Sequence, residues 1–219
     1  MGVDFFSRSF ATHRDAYWIW ERRAVVLHHG REEEMDEGGI REVLAAELLE
    51  ALGVQTCRIM SLVETGESLV RHDEESPTRS AVMVRLSWSN IRVGTFQRLA
   101  VLGHTDVIRR LVDYVLEHYF VNLNETASEE RAAVMLREVA RRCLRTCARW
   151  MTSGFVHGVL NTDNFNVTGE SFDYGPWRFV PTWDRHFVAA YFDYQSRYAF
   201  GRQVDATMWT LARLAECLV

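Results

Sequence analysis

The stretch from His157 to Gly175, H-G-V-L-N-T-D-N-F-N-V-T-G-E-S-F-D-Y-G, constrains the fold and the chemistry of this chain more than any other. An apolar pattern with helical spacing leads into it. A short loop then presents three polar residues, Asn161, Asp163 and Asn164. Such a loop at the end of a buried helix can hold side chains in fixed positions for binding or proton transfer.

The second half of this stretch reads as two short strands joined by a turn. Phe165 to Val167 is expected to form the first strand, and Phe172 is expected to start the second and deliver Asp173 before a glycine. Asparagine and aspartate at the ends of such strands supply hard oxygen ligands for magnesium, whose remaining ligands come from phosphates and water. The pattern therefore predicts a magnesium–nucleotide site.

The loop has the spacing of a kinase catalytic loop, H-R-D-x-x-x-x-N, from the histidine to the metal-binding asparagine, but it lacks the catalytic aspartate of that motif. Asn164 follows His157 by the same interval, but Val159 occupies the position of the usual catalytic base and cannot accept a proton. The nearest carboxylate is Asp163. The alternative is that Asp163 and Asn164 are ordinary turn residues, since both types favour turns.

Three separate motifs, H-G-V-L-N-T-D-N, F-D-Y-G-P-W and Y-A-F-G-R-Q, resemble those of the SelO family, from about Ile40 to the C-terminus. That family has a kinase-like fold, is widely called a pseudokinase, and moves AMP from ATP onto protein hydroxyls. The resemblance implies ATP as substrate, Mg²⁺ or Mn²⁺ as cofactor, and proteins with Ser, Thr or Tyr hydroxyls as partners. Relatives have His where Tyr194 stands and Gly where Ser196 stands.

The resemblance also implies roles for individual residues. Asp163 corresponds to the catalytic base, and Asn164 and Asp173 correspond to the metal ligands. The residues expected to contact or orient ATP are Arg85, Arg92, Asp173 and Glu47, and Glu47 corresponds to the ion-pairing glutamate of the kinase C helix. The two arginines are expected to hold phosphates, because a guanidinium fork matches phosphate oxygens.

The predicted fold class is α+β, a kinase-like arrangement of a small antiparallel-sheet lobe with one helix and a mainly helical lobe, incomplete at both ends. Residues 1–39 are expected to be a diverged or truncated segment, 40–100 the remnant of the small lobe, and 101–219 the helical lobe with the catalytic and metal-binding loops. Within the small lobe, Ile40 to Leu52 is predicted to be a helix.

The buried face of that helix is predicted from its large apolar residues, and the other elements from periodicity and capping signals. The predicted apolar face consists of Ile40, Val43, Leu44, Leu48 and Leu52. The predicted strands are Val54–Val63 and Ala81–Leu86, and the predicted later helices are Thr105–Tyr119, a long helix from Thr126 or Ser128 to Thr152, and Met208–Leu218. Tyr17 to Leu27 fits either a strand or a short helix, and Arg92 is placed in a loop or at a strand start.

Composition narrows the partners. The net charge of −5 implies no general affinity for nucleic acid, and no apolar run has the length of a membrane span. Four cysteines, Cys57, Cys143, Cys147 and Cys217, lack metal-site spacing and are expected to be buried free thiols in a cytoplasmic protein. Composition does not predict an oligomeric state.

Two other functions compete with adenylyl transfer. A phosphotransferase of kinase-like fold shares the Asn spacing, although Val159 argues against it. A catalytically impaired, truncated homologue is the other alternative, because all 25 basic Lys and Arg positions are arginines and no glycine-rich loop precedes Ile40. A kinase-like site normally meets triphosphate charge with a lysine and a glycine-rich cradle.

Overall fold

The computed structural model describes residues 15–20, 23–29, 38–69 and 78–218, with side chains from residue 38 to 66 and from 81 to 218. Predictions for 1–14, 30–37 and 70–77 lie outside these residues. The chain divides into two compact units. Unit 1 comprises Met1–Asn90 with Asp173–Gly175, and unit 2 comprises Ile91–Phe172 with Pro176–Val219. The boundary predicted between the small lobe and the helical lobe, at residues 100/101, lies ten residues after the boundary between the two units at Asn90 and Ile91.

Unit 1 is built on a four-stranded antiparallel sheet in the order β1-β2-β4-β3. The strands are β1 (Asp15–Trp20), β2 (Arg23–His29), β3 (Arg58–Leu69) and β4 (Thr78–Ser87). The stretch that fitted a strand or a short helix is thus a hairpin, and β1 pairs with β2 from Asp15↔His28 to Trp20↔Arg23. The central strand β4 has β2 on one side and β3 on the other.

Helix α1 (Ile40–Ala51) packs on β3 and has the predicted bounds to within a residue. Its predicted apolar face was wrong. The buried residues are Glu42, Ala45, Ala46 and Leu49, whereas Ile40, Leu44, Leu48 and Leu52 are exposed. Small alanines allow the helix axis to approach the sheet closely, and this approach encloses one carboxylate. Size and hydropathy alone pointed to the opposite face because burial follows tertiary packing.

Unit 2 is mainly helical. Its helices are α2 (Val93–Val101), α3 (Thr105–His118), α4 (Arg131–Ser153) and α5 (Gln203–Cys217), and a two-residue ladder joins β5 (Phe155–Val156) to β6 (Arg178–Phe179). Helix α5 packs against both α2 and α4. The α+β class predicted from the sequence is confirmed by these two units.

Arg92 has extended backbone and forms an isolated bridge with Asn166, as the predicted loop or strand start allows, but the helix α2 that follows it was not predicted. Two other features differ from the prediction. Phe165–Val167 forms only an isolated bridge between Asn166 and Arg92 instead of a regular strand. Helix α5 begins at Gln203, five residues before the predicted Met208. A stretch as short as Phe165–Val167 carries too little periodic signal to be placed from the sequence.

The four cysteines are free. Cys57, Cys143 and Cys147 are buried as predicted, and Cys217 is half-buried. Burial raises the pKa of the Cys143 thiol to about 12, and it also raises the pKa of Cys147. These thiols are therefore protonated at neutral pH and act as small apolar core residues.

Candidate active site

The polar loop of unit 2 is a single turn of 3₁₀ helix, Thr162–Asn164. Asn161 caps it, because its Oδ1 accepts a hydrogen bond from the backbone N–H of Asp163 at 2.9 Å. The amide group of Asn164 donates from Nδ2 to the carbonyl oxygen of Val159 at 2.7 Å. This bond fixes the amide and turns Oδ1, the ligand-type oxygen, to the opposite side of the group.

Helix α2 holds this loop from one side. The backbone N–H of Val93 donates to the Phe165 carbonyl, and that of Val167 donates to the Ile91 carbonyl, each at 2.9 Å. Arg92 lies between these two bonds and pairs with Asn166. The start of α2 and the loop are therefore one hydrogen-bonded structure.

Asp163 lies against the first turn of α2. A Cβ added at Gly94 would overlap Asp163 Oδ1, so only glycine leaves space for this carboxylate. Asp163 itself is exposed, unlike its neighbour Asn164, which is 8% exposed. An exposed carboxylate in this position is accessible to a ligand hydroxyl and can accept its proton.

The guanidinium of Arg92 lies over the ring of Phe172, with Cζ 5.1 Å from the ring centroid. This cation–π contact orients the side chain, and it leaves Arg92 half-buried. Asp163 lies against Gly94, two residues after Arg92, so the start of α2 brings these two predicted site residues near each other.

Helix α4 supports the far side of the loop. Trp150 Nε1 donates to Ser171 Oγ at 3.0 Å, and the Thr146 hydroxyl bonds to the Gly169 carbonyl. Gly169 has φ +75, and a Cβ there would meet the Arg142 backbone at 2.8 Å. The turn between the predicted strands is thereby fixed on the long helix.

His157 has a structural role. It is fully buried, and its Nε2 lies 2.9 Å from the Phe172 carbonyl oxygen. Because that oxygen can only accept, Nε2 carries the proton. Its backbone N–H donates to Gln203 Oε1 at 3.0 Å, and Gln203 Nε2 donates to the Phe155 carbonyl at 2.9 Å. The glutamine of Y-A-F-G-R-Q therefore fixes the start of the His157–Gly175 stretch.

Unit 1 carries the D-Y-G segment and a buried ion pair. Glu42 of α1 accepts from Arg85 Nη2 at 2.9 Å, and its other carboxylate oxygen accepts from the backbone N–H of Tyr174. Both side chains of the ion pair are almost fully enclosed, at 4% exposure for Arg85 and 1% for Glu42. The Tyr174 hydroxyl bonds to Thr56. One carboxylate thus connects α1, β4 and the residue after Asp173.

The sequence alone did not predict a role for Glu42. The predicted ion-pairing residue, Glu47, is exposed on the same helix, and its role stays a prediction. The alternation along β4 was the available signal, since Ala81, Met83 and Arg85 occupy its buried face. An arginine at an inward-facing strand position requires a buried acidic partner, and Glu42 is that partner.

Asp173 has φ +65, which is unusual for a residue other than glycine. Such conformations are concentrated at binding and catalytic sites. Asp173 and Asn164 both offer hard oxygen donors of the kind that Mg²⁺ and Mn²⁺ prefer. Among the described residues, no group of three or more His, Cys, Asp and Glu side chains could hold a metal ion.

The described residues define an α+β protein in which an antiparallel-sheet unit carries D-Y-G and a helical unit carries N-T-D-N. Residues 34–219 match the family model described as "Protein adenylyltransferase SelO". The chain therefore belongs to the SelO family, as its motifs predicted.

Curated relatives agree with this assignment. The protein nucleotidyltransferase YdiU of Synechocystis sp. is 53% identical over 183 residues, which cover 83% of this chain and 38% of the relative. The proteins of the same name from Trichormus variabilis and Gloeobacter violaceus are 50% and 52% identical, over 81% and 76% of this chain and 36% and 34% of theirs. The chain thus spans well under half the length of these relatives. In the described part of the chain, no helix is long and apolar enough to cross a membrane.

Proposed function

We propose that this chain carries the nucleotide site of a kinase-like protein adenylyltransferase, which moves AMP from ATP to Ser, Thr or Tyr hydroxyls of proteins. The single observation that carries the proposal is the position of Asp163, an exposed carboxylate that Gly94 admits to the first turn of α2. Membership of the SelO family supports the same reaction.

Asp163 accepts the proton of the acceptor hydroxyl in the proposed reaction. The hydroxyl oxygen forms a bond to the α-phosphorus of ATP, the bond from that phosphorus to the β-phosphate oxygen breaks, and pyrophosphate leaves. The cap from Asn161 holds the loop backbone in place, so that little reorganisation accompanies the transfer.

Asn164 and Asp173 are the proposed ligands of Mg²⁺ or Mn²⁺. When bound, the ion neutralises phosphate charge that develops in the transition state. The bond from Asn164 Nδ2 to Val159 keeps the amide oxygen oriented as a ligand. The left-handed conformation of Asp173 sets the direction of its carboxylate.

Arg92 and Arg85 are the proposed phosphate-contacting residues. Arg92 is the more accessible of the two, since Arg85 is 3% exposed. We also propose that Glu42 has the ion-pairing role that sequence predicted for Glu47. An arginine, Arg85, then occupies the place of the missing lysine partner, and the D-Y-G backbone is held by the same carboxylate.

The test uses the 219-residue chain with an acceptor protein and ATP labelled at either the α- or the γ-phosphate. We expect label from the α-phosphate only, dependent on Mg²⁺ or Mn²⁺ and abolished by a chelator. Asp163→Asn should lower the rate roughly 10²–10⁴-fold, the usual contribution of a general base. Asp106→Asn is the matched control, because Asp106 is an exposed residue of α3, and it should leave the transfer rate unchanged.

Transfer of the γ-label would instead identify a phosphotransferase. Absence of both labels, with Mg²⁺–ATP binding weaker than about 100 μM, or about −5.5 kcal/mol, would identify an impaired homologue. Equal rates in Asp163→Asn and Asp106→Asn would remove Asp163 from the reaction.

A further inference from the structure

A cavity of about 470 Å³ lies within unit 2, between the segment after β6 and the start of α5. Its volume is within the range of sites for small ligands or single side-chain groups. The residues that give it its polar character are Arg185, His186, Gln195, Ser196, Arg202 and Asp205. Two guanidinium groups therefore share one cavity with a single carboxylate, and the reaction described above uses none of them.

Arg185 is fixed in this cavity by a glycine. The backbone N–H of Gly201 donates to the Arg185 carbonyl at 2.9 Å. A Cβ added at Gly201 would lie 2.9 Å from Arg185 Cβ and 3.2 Å from its Nε. The side chain of Arg185 therefore packs directly against Gly201, and a larger residue at position 201 would displace it.

Arg202 approaches the cavity from the other side. Its Nη1 has only long contacts, 3.4 and 3.5 Å, to the carbonyl oxygens of Gln195 and Ser196. Ser196 has φ +51, a conformation that costs about 1–3 kcal/mol for a residue other than glycine. Among the described residues, neither Arg185 nor Arg202 has an ion pair with a carboxylate. Both residues are exposed, so their guanidinium groups are accessible to an anion that enters the cavity.

Exposed aromatic rings occur on the same segment. Trp183 is 72% exposed, Tyr191 73% and Tyr194 89%. Trp183 is held edge-on against Phe200, with ring centroids 5.1 Å apart. Tryptophan, tyrosine and arginine are the residue types that dominate binding energy at protein interfaces. The whole chain has a net charge of −5, so a cationic cavity here reverses its general charge.

We propose that this cavity binds a carboxylate or phosphate group of an acidic polypeptide segment, and that the neighbouring rings contact the residues beside that group. The forked guanidinium groups of Arg185 and Arg202 match the paired oxygens of either anion. This inference deepens the proposed function, since the occupant is then the protein substrate. The exposed rings favour a polypeptide over a free anion.

The test measures fluorescence anisotropy of a labelled peptide that contains Glu residues, without ATP, against the intact chain. A peptide with phosphoserine in place of the central Glu compares the two anions, and a Gln peptide is the uncharged control. Arg185→Gln and Arg202→Gln should each weaken binding about 10- to 100-fold, the value of one charge-assisted hydrogen bond of about 1.5–3 kcal/mol.

Arg197→Gln is the matched control, because Arg197 lies exposed on the same segment outside the cavity lining. It should change the dissociation constant less than about twofold. Arg185→Lys and Arg202→Lys keep the charge without the fork and should restore binding in part. Circular dichroism confirms the fold of each variant.

Three results would overturn the proposal. The first is that the chain binds the acidic peptides no more tightly than the Gln peptide. The second is that Arg197→Gln and Arg185→Gln weaken peptide binding equally. The third is that inorganic phosphate displaces the peptide fully and that Trp183→Ala leaves peptide binding unchanged. The last result would assign the cavity to a free oxyanion. Because ATP is absent, peptide binding can fail while adenylyl transfer succeeds, or the reverse.

Discussion

Replacement of Glu42 by alanine is expected to be the most damaging single change in unit 1. Glu42 holds Arg85 with one carboxylate oxygen and the backbone N–H of Tyr174 with the other. Glu42 is fully buried, and Arg85 is 3% exposed. Removal of the carboxylate leaves a buried guanidinium without this partner and removes the acceptor of the Tyr174 amide.

The magnitude follows from these two losses. Removal of one member of a buried ion pair costs about 3–5 kcal/mol, and loss of the hydrogen bond from the Tyr174 amide adds about 0.5–1.5 kcal/mol. We therefore expect Glu42→Ala to lower the free energy of unfolding by about 4 kcal/mol. With a urea m-value of about 2–3 kcal/mol/M, the unfolding midpoint should fall by about 1–2 M.

The assay is urea unfolding followed by circular dichroism, with Glu47→Ala as the control on the exposed side of the same helix. That exchange should change the free energy of unfolding by less than about 0.5 kcal/mol. The double variant Glu42→Leu/Arg85→Met should recover most of the loss, since apolar residues of similar volume can replace a buried ion pair. It should still lack the bond to Tyr174.

A midpoint for Glu42→Ala equal to that of Glu47→Ala would refute this reasoning. The ion-pairing role would then return to Glu47. A double variant no more stable than Glu42→Ala would show that the lost bond to the Tyr174 amide, and not the lost ion pair with Arg85, causes the destabilisation.

Three further predictions concern unit 2. Gly94→Ala should lower the transfer rate about 10²-fold with little change in unfolding midpoint, because the new methyl group displaces Asp163; unchanged kinetics would contradict this. Ser196→Gly should raise the free energy of unfolding by about 0.5–1 kcal/mol in urea, because glycine adopts φ +51 without strain; a loss of stability would contradict this. Two arginines lower the pKa of Glu138 to about 2, so its ion pairs stabilise the fold above the unfolded pKa and that stability is lost as pH falls through about 2. Because Glu138 is half-buried and its partner Arg141 is exposed, Glu138→Gln should cost under about 1 kcal/mol at pH 7 and clearly less at pH 2, as measured by urea unfolding at both values.

Much of unit 2 could be predicted from sequence because its long helices have clear periodicity. Helix α3 begins at the predicted Thr105, and α4 ends one residue after the predicted Thr152. The loop Asn161–Asn164 was also recognised, because capping and turn residues act over a few positions along the chain. Local chemistry of this kind needs no knowledge of what packs against it.

The exposed face of α1 shows where that reasoning ends. Its large apolar residues predicted the buried face, but the sheet instead buries two alanines and Glu42. Likewise, no pattern indicated that Gly94 makes room for Asp163, 69 residues further along the chain. Sequence determined the long helices α3 and α4, the site loop and the family. Tertiary structure decided which carboxylate is enclosed with Arg85 and which is left exposed at a helix start, because burial and partners depend on residues far apart in sequence.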